Sequence, residues 1–189
     1  MPDHRYESGS TAGMIDTWRA IFARQRAFGE HAFDQLDDAG FFWTPADGLN
    51  SVAIIARHLA GNLLSRWTDF LTSDGEKPWR DRDAEFEPPE PTSASRRAIM
   101  DGWEKGWDTL DRALAGLTDA DLRREITIRG APHAVHAAIA RQLDHYAFHV
   151  GQINVIARLH VGTAHWKWFT LPPGGTKAFN ELVRAKHHA

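Results

Sequence analysis

Residues 136–160 have the apolar periodicity of a long α-helix, and two histidines lie in the apolar part of that pattern. At about 100° per residue, His145 and His149 fall on one helical face. Apolar residues flank that face, namely Ile139, Tyr146, Val150 and Ile153 on one side and Phe148, Val155 and Leu159 on the other. We therefore expect both imidazoles to point into a core, where a buried polar ring needs a partner.

Histidines four residues apart on a helix have Cβ atoms about 6 Å apart, so both rings can reach one metal ion. The chain has 11 histidines, and at that content such a pair also arises by chance. A third inward-facing histidine makes the pattern more specific, and His58 on another predicted helix is the candidate. The competing interpretation is that His58 is a core histidine with a hydrogen bond inside the fold.

Three further stretches have apolar residues at helical spacing and predict long amphipathic helices. The first spans residues 14–36, the second runs from a cap at Asn50 or Ser51 to about residue 72, and the third begins at Thr92 or Ser93. Residues 37–48 contain Gly40, Pro45 and Gly48, which break regular structure.

The connections are polar. Residues 73–91 predict a long loop that Trp79 and Phe86 attach to the body, and residues 74–82 of it are placed to lie over a site as a lid. Residues 125–128 alternate with period two before Arg129-Gly130, which predicts a short β-hairpin that adds little to the core. The tail ends in a short predicted helix over residues 176–186.

Length and composition exclude several classes of protein. We expect a single domain over residues 1–189, with a net charge of −3 and no Lys/Arg cluster that would indicate a nucleic-acid partner. The chain has no cysteine, which excludes disulfides, thiolate nucleophiles and cysteine-based zinc sites. It has no apolar run long enough to span a membrane, and we expect a cytoplasmic protein without a membrane partner.

Four long amphipathic helices predict an all-α four-helix bundle, an architecture that builds metal sites from side chains on facing helices. The second helix supplies His58, and the fourth supplies His145 and His149. Three neutral imidazoles with one open position are typical of a catalytic metal site, whereas a structural zinc usually has four protein ligands.

Two helical segments and one longer run carry a resemblance to a known family. The segments ARHLAGN at residues 56–62 and HYAFHVGQ at residues 145–152 resemble the DinB/YfiT-like superfamily. The run SRWTDFLTSDGEKP at residues 65–78 resembles a branch of that superfamily whose function is unassigned. The resemblance implies a bundle of the up-down-down-up type, often a homodimer, with a divalent metal ion held by His58, His145 and His149 at one end.

The resemblance also implies two kinds of chemistry. Related branches use the metal with a small thiol such as bacillithiol, mycothiol or glutathione, and others are described as metal-dependent hydrolases. We therefore expect a small-molecule substrate and first a thiol-dependent S-transferase, with a metal-dependent hydrolase as the alternative. Imidazole ligands suit zinc or nickel, and iron or manganese are the further candidates.

Four polar residues near the histidines are candidates for catalytic roles: Asn62, Asp69, Arg141 and Gln152. An arginine can orient a substrate carboxylate through its forked donors, and an amide can hold a hydrogen bond behind a metal ligand.

Two interpretations without catalysis also fit the sequence. In one, the metal only ties the second and fourth helices together, and in the other the bundle is a dimerisation module that binds no metal. The space beside the metal distinguishes these two interpretations from an enzyme. If Trp67 or Phe148 filled the open coordination position, a substrate could not reach the metal.

Overall fold

The computed structural model describes residues 13–187, so the two ends of the predicted domain, residues 1–12 and 188–189, lie outside the described residues. Helices and one two-stranded antiparallel sheet make up its regular structure. The helices are α1 Met14–Phe33, α2 Asp38–Phe42, α3 Val52–Trp67, α4 Ser93–Ala115, α5 Val135–Val161 and α6 Thr176–His187, and the strands are β1 Glu125–Ile128 and β2 Ala131–Ala134. Short 3-10 turns lie at Ala84–Phe86 and Asp121–Arg123.

The four long helices α1, α3, α4 and α5 form the bundle, which confirms the predicted fold class. Helix α3 packs mainly against α4, and α1 packs mainly against α5. Helix α3 also contacts α5, which brings the helices of the three candidate histidines together. Within the described residues, no helix is both long enough and apolar enough to cross a membrane.

The predicted helix starts are confirmed by their caps. The Ser51 hydroxyl accepts a hydrogen bond from the Ile54 N–H at 3.2 Å, and the Thr92 hydroxyl accepts one from the Ser95 N–H at 3.1 Å. These side chains satisfy N–H groups that the first helical turn leaves without a partner.

The end of one helix and the presence of another differ from the prediction. Helix α3 ends at Trp67 rather than near residue 72, and Asp69 has a left-handed φ of 50°. The short helix α2 forms where a break was predicted, because the Asp37 carboxylate caps it by accepting from the Gly40 N–H at 2.8 Å. Gly40 also permits close packing, since a Cβ there would lie 2.7 Å from the His160 ring.

Helix α5 is buried on one flank only. The predicted core residues Ile139, Tyr146, Val150 and Ile153 are buried. The other predicted flank was wrong, because Phe148 is 62% exposed, Val155 50% and Leu159 61%. A helix at the outside of a bundle is covered only on the side that faces its neighbours, and the sequence pattern alone does not show which flank that is.

The predicted hairpin is confirmed, with β1 and β2 paired from Glu125 opposite Ala134 to Ile128 opposite Ala131. The expectation that it adds little to the core was wrong, because Ile126 and Ile128 are buried there.

The loop after α3 is attached to the hairpin and to the candidate site. Of the two aromatic residues predicted to attach it, only Phe86 does so. The Gly75 N–H donates to the Thr127 carbonyl at 3.0 Å. Trp79 is 59% exposed and does not anchor the loop, whereas the Phe86 ring lies 4.6 Å from the His58 ring, centroid to centroid.

Candidate metal centre and its cavity

The fold brings the three candidate histidines of α3 and α5 to one point. Ring centroids are 5.4 Å apart for His58 and His145, 5.0 Å for His58 and His149, and 4.7 Å for His145 and His149. One ring nitrogen from each histidine lies within 4.8 Å of the other two. The four-residue spacing on α5 and the packing of α3 against it produce this convergence.

A carboxylate from the loop orients the His58 ring. His58 is buried, and its Nδ1 lies 2.8 Å from Oε2 of Glu85, which lies within the 3-10 turn Ala84–Phe86. Because an ionised carboxylate only accepts hydrogen bonds, Nδ1 carries the proton and the Nε2 lone pair points toward the other histidines. Gly61 makes room for this contact, since a Cβ at that position would collide with the Glu85 carboxylate.

Glu85 is held in turn by Arg80, whose Nε and Nη2 donate to the two carboxylate oxygens at 2.7 and 2.8 Å. Burial alone would raise the pKa of Glu85, but the hydrogen bonds from Arg80 and His58 outweigh it, so the pKa is lowered. The carboxylate therefore stays ionised behind the His58 ring.

The amide of Gln152 orients the His149 ring in the same way. Its Oε1 lies 2.7 Å from Nδ1 of His149, and a carbonyl oxygen only accepts, so Nδ1 donates and Nε2 is left as an acceptor. The third ring differs, because Nδ1 of His145 is buried and has no partner among residues 13–187.

Two of the three imidazoles have lowered pKa values. Burial, followed by the nearby His149 and His58, lowers the pKa of His145 to about 3. Burial also lowers the pKa of His149, against the opposing effect of its hydrogen bond to Gln152. Both rings are therefore neutral at physiological pH, which is the form that binds a metal ion.

The donor set fits a divalent metal ion. Nε2 of His58 lies 3.4 Å from Nε2 of His145. Two nitrogens bound at about 2.0–2.1 Å with a tetrahedral angle between them are about 3.3 Å apart, so this pair already has the separation that a shared ion requires. Three imidazoles, two of them fixed by hydrogen bonds through Nδ1, provide the ligand nitrogens, so His58, His145 and His149 would hold the ion.

The triad forms part of the wall of a cavity of about 470 Å³. The lining residues are His58, Asn62, Arg66, Arg80, Arg82, Phe86, Arg129, Arg141, Gln142, Asp144, His145, Phe148 and His149. Trp67 does not fill this space, because it packs in the core and donates from Nε1 to the Tyr146 hydroxyl at 3.0 Å. Phe148 lies at the cavity wall but is largely exposed. The triad therefore borders open space.

The four polar candidates have different positions. Asn62 and Arg141 line the cavity, and Gln152 contacts His149. Asn62 is also fixed, because its Oδ1 accepts from the Tyr146 hydroxyl at 3.1 Å. Asp69 is exposed and does not line the cavity, since α3 ends two residues before it. Its placement on the face of His58 was wrong, because it assumed a longer helix.

Sequence reasoning missed Glu85 and four arginines of the cavity, Arg66, Arg80, Arg82 and Arg129. Most of them follow α3 in the connecting loop or lie in the hairpin, where no periodicity indicates direction. One signal was present, because Gly61 inside α3 indicates a close approach by another part of the chain. In the segment predicted as a lid, Arg80 and Arg82 line the cavity, and Arg80 pairs with Glu85, which contacts His58 of α3.

The chain folds as a four-helix bundle with a candidate metal centre at the three histidines, which is the architecture that the sequence resemblance implies. The chain belongs to the DUF1572 family of proteins of unknown function, whose family model matches residues 10–175. No functionally curated protein matches the sequence.

A solved structure is similar in fold, that of YfiT from Bacillus subtilis, described as a probable metal-dependent hydrolase with an unusual four-helix bundle topology. The two share 18% sequence identity with a TM-score of 0.64, over 84% of this chain and 95% of YfiT. At this identity the likeness shows the fold.

Proposed function

We propose that this protein is a metal-dependent hydrolase in which His58, His145 and His149 hold a divalent ion beside the substrate. The observation that carries the proposal is the convergence of three imidazoles, within 4.8 Å of one another, on a cavity of about 470 Å³. A structural ion would be enclosed by protein ligands, whereas this triad has space for a substrate next to it. The description of YfiT as a probable metal-dependent hydrolase supports the same reaction class.

The ion, when bound, supplies Lewis acidity and lowers the pKa of a nucleophile beside it. The residues of the chain arrange the rest. Glu85 and Gln152 keep the His58 and His149 rings in one tautomer, and Asn62, with Oδ1 engaged by Tyr146, can direct its amide N–H groups to a substrate carbonyl. Arg141 lies at the exposed side of the cavity and can pair with a negative group of the substrate.

Zinc and nickel are the ions that we propose first, because three imidazoles suit both, and iron or manganese follow. The test is the metal content of protein purified without a nickel column. We expect about one ion per chain in the wild type and loss of it in His58→Ala and His149→Ala, with helical circular dichroism retained.

His165→Ala is the matched control for this test, because His165 is exposed and lies outside the cavity. It should keep the metal content of the wild type. Unchanged metal content in both triad variants would refute the proposal.

A thiol S-transferase is the second candidate function. The chain has no cysteine, so any thiol nucleophile must come from outside, and the cavity volume lies in the range of small-molecule sites. Calorimetric titration with glutathione separates the candidates. The transferase requires binding that depends on the metal, whereas equal heats with metal-loaded and chelator-treated protein would leave water as the nucleophile.

A further inference from the structure

Arg66 is a buried charge without a partner in the wall of the same cavity. It lies on α3 with 5% of its surface exposed, and it lines the cavity together with the triad. Within residues 13–187, its Nε and Nη1 are buried and have no hydrogen-bond partner. A guanidinium has five donors, no acceptor and no accessible neutral form, so this group stays charged and needs acceptors.

The acidic residues near Arg66 are engaged elsewhere. Both oxygens of Glu85 bind Arg80, and Oε2 also contacts His58. Oε2 of Glu76 accepts from Nε of Arg129 at 2.8 Å. Each of these two carboxylates therefore has another arginine as its hydrogen-bond partner, and Glu76 acts on Arg66 only through its charge.

The loop holds Arg66 in place without neutralising it. The Ser65 hydroxyl donates to the Gly75 carbonyl at 2.8 Å, which fixes the loop against this part of α3. A Cβ on Gly75 would collide with Nη1 of Arg66, so the glycine lets the loop pack on the guanidinium. Burial, and then the nearby Arg141 and Arg80, lower the pKa of Arg66 against the opposing effects of Tyr146 and Glu76. A buried charge without a counterion costs several kcal/mol, and a bound anion would offset that cost.

The rest of the lining is positive as well. Five arginines line the cavity, and Asp144 is the one acidic residue among the lining residues. Arg80 and Arg129 are paired with glutamates, whereas no ion pair of Arg66 or Arg141 is found among residues 13–187. Positive walls of low dielectric concentrate anions from solution.

We propose that Arg66 is the binding subsite for an oxyanion of the substrate, a carboxylate or a phosphoryl group. This deepens the proposed function and rests on it, because it makes the substrate of the triad an anionic small molecule. A forked guanidinium binds either group through two parallel hydrogen bonds.

The anion is an anchor rather than the reacting group. Arg66 lies eight residues after His58, so their Cα atoms are about 12 Å apart at 1.5 Å per residue along α3. The substrate therefore carries its negative group several bonds away from the bond that reacts.

The test measures binding of inorganic phosphate and of acetate, separately, by calorimetry at constant ionic strength set with chloride. Wild type, Arg66→Met, Arg66→Lys and Arg112→Met are compared as purified, and their metal content is measured in parallel. Arg112 is exposed on α4 outside the cavity, so its variant controls for the loss of one charge.

We expect at least one of the two anions to bind the wild type and Arg112→Met equally, and Arg66→Met at least tenfold more weakly. Binding of phosphate alone assigns the subsite to a phosphoryl group, and binding of acetate alone assigns it to a carboxylate. Arg66→Met should also melt no lower than the wild type, because an unpaired buried charge has been removed. Arg66→Lys keeps the charge without the fork and should bind several-fold more weakly, which keeps the test valid if the methionine variant does not fold.

Equal affinity of the wild type and both Arg66 variants, or no binding of either anion by the wild type, would overturn the subsite. Metal content distinguishes this failure from failure of the proposed function. If the wild type contains no metal but binds anions in a way that depends on Arg66, the metal enzyme is refuted and the subsite stands. If the wild type contains metal but its anion binding does not depend on Arg66, the subsite is refuted and the metal enzyme stands.

Discussion

Two carboxylates in the loop after α3 form contrasting polar centres. Asp74 accepts three hydrogen bonds from backbone N–H groups, those of Glu76 at 2.7 Å and of Arg129 and Gly130 at 2.8 Å each. The carboxylate of Glu85 binds only side chains, those of Arg80 and His58, and lies beside a cavity whose wall includes Arg66, whose Nε and Nη1 have no partner within residues 13–187. At Asp74, backbone N–H groups satisfy the carboxylate. Beside Glu85, the buried Nε and Nη1 of Arg66 have no acceptor in the part of the chain that the structure describes.

The difference indicates which centre is structural and which serves a ligand. Buried polar groups in folded proteins are nearly always hydrogen-bonded, so an exception requires an explanation. Around Asp74, the contact with Glu76 lies within the loop and the contacts with Arg129 and Gly130 join the loop to the hairpin, so stability accounts for all three. Around Glu85, the proposed cation would bind the convergent imidazoles, and the proposed anion would supply acceptors to Arg66, which has none for Nε and Nη1 among the described residues.

Of the substitutions that test this contrast, we expect Glu85→Gln to have the largest effect, a loss of metal affinity. A neutral amide weakens the hold on the His58 ring and leaves Arg80 without its counterion, so we expect metal affinity to fall about 10–100-fold. Competition with a chelator of known affinity measures the change. Glu87→Gln, at an exposed position of the same loop, should leave the affinity unchanged. Equal affinities in the two variants would show that Glu85 does not act through His58.

Gly61→Ala should have the next largest effect, because the added methyl group collides with the Glu85 carboxylate and displaces it from His58. We expect metal affinity about tenfold weaker, following the loss of the same hydrogen bond. Gly102→Ala is the matched helical control, since its Cβ would meet only the Cβ of Ala60 at 3.4 Å. The control should keep the metal affinity and melt slightly higher, as alanine favours a helix. A Gly61→Ala protein with the metal affinity of the wild type would contradict the role of this close approach.

Asp74→Asn should have the smallest effect, limited to stability. Hydrogen bonds from the Glu76 and Gly130 N–H groups lower the pKa of Asp74 to about 2. A carboxyl with a lowered folded-state pKa stabilises the protein fully above its unfolded value, which is near 3.9, and loses that contribution as the pH falls toward 2. We expect a loss of roughly 1 kcal/mol or less at pH 7, because the group is partly accessible to solvent.

Urea unfolding of the wild type and Asp74→Asn between pH 7 and pH 2 measures this contribution. The difference in unfolding free energy should be constant down to about pH 5 and then shrink, as the pKa values require. Asp101→Asn, exposed on α4, should show no such pH dependence. Metal content should stay at the wild-type level in both variants, and a loss of metal in Asp74→Asn would remove the distinction between the two centres.

Much of the fold could be predicted because helices are local. The caps at Ser51 and Thr92, the hairpin before α5 and the shared face of His145 and His149 all follow from short-range rules of spacing and hydrogen bonding. The same rules failed where a neighbour decides the outcome. They placed Phe148 in a core that does not cover it, and they extended α3 to Asp69.

The sequence of this protein specifies the four amphipathic helices and the helical face on which each of the three histidines lies. The backbone repeat of a helix sets the direction of side chains over a few residues. Only the folded arrangement brings Glu85 behind His58, packs Gly75 on Arg66 and leaves that arginine beside a cavity. These contacts join residues far apart in the chain through a loop without periodicity. Their geometry therefore depends on how the whole bundle packs, and no local pattern encodes it.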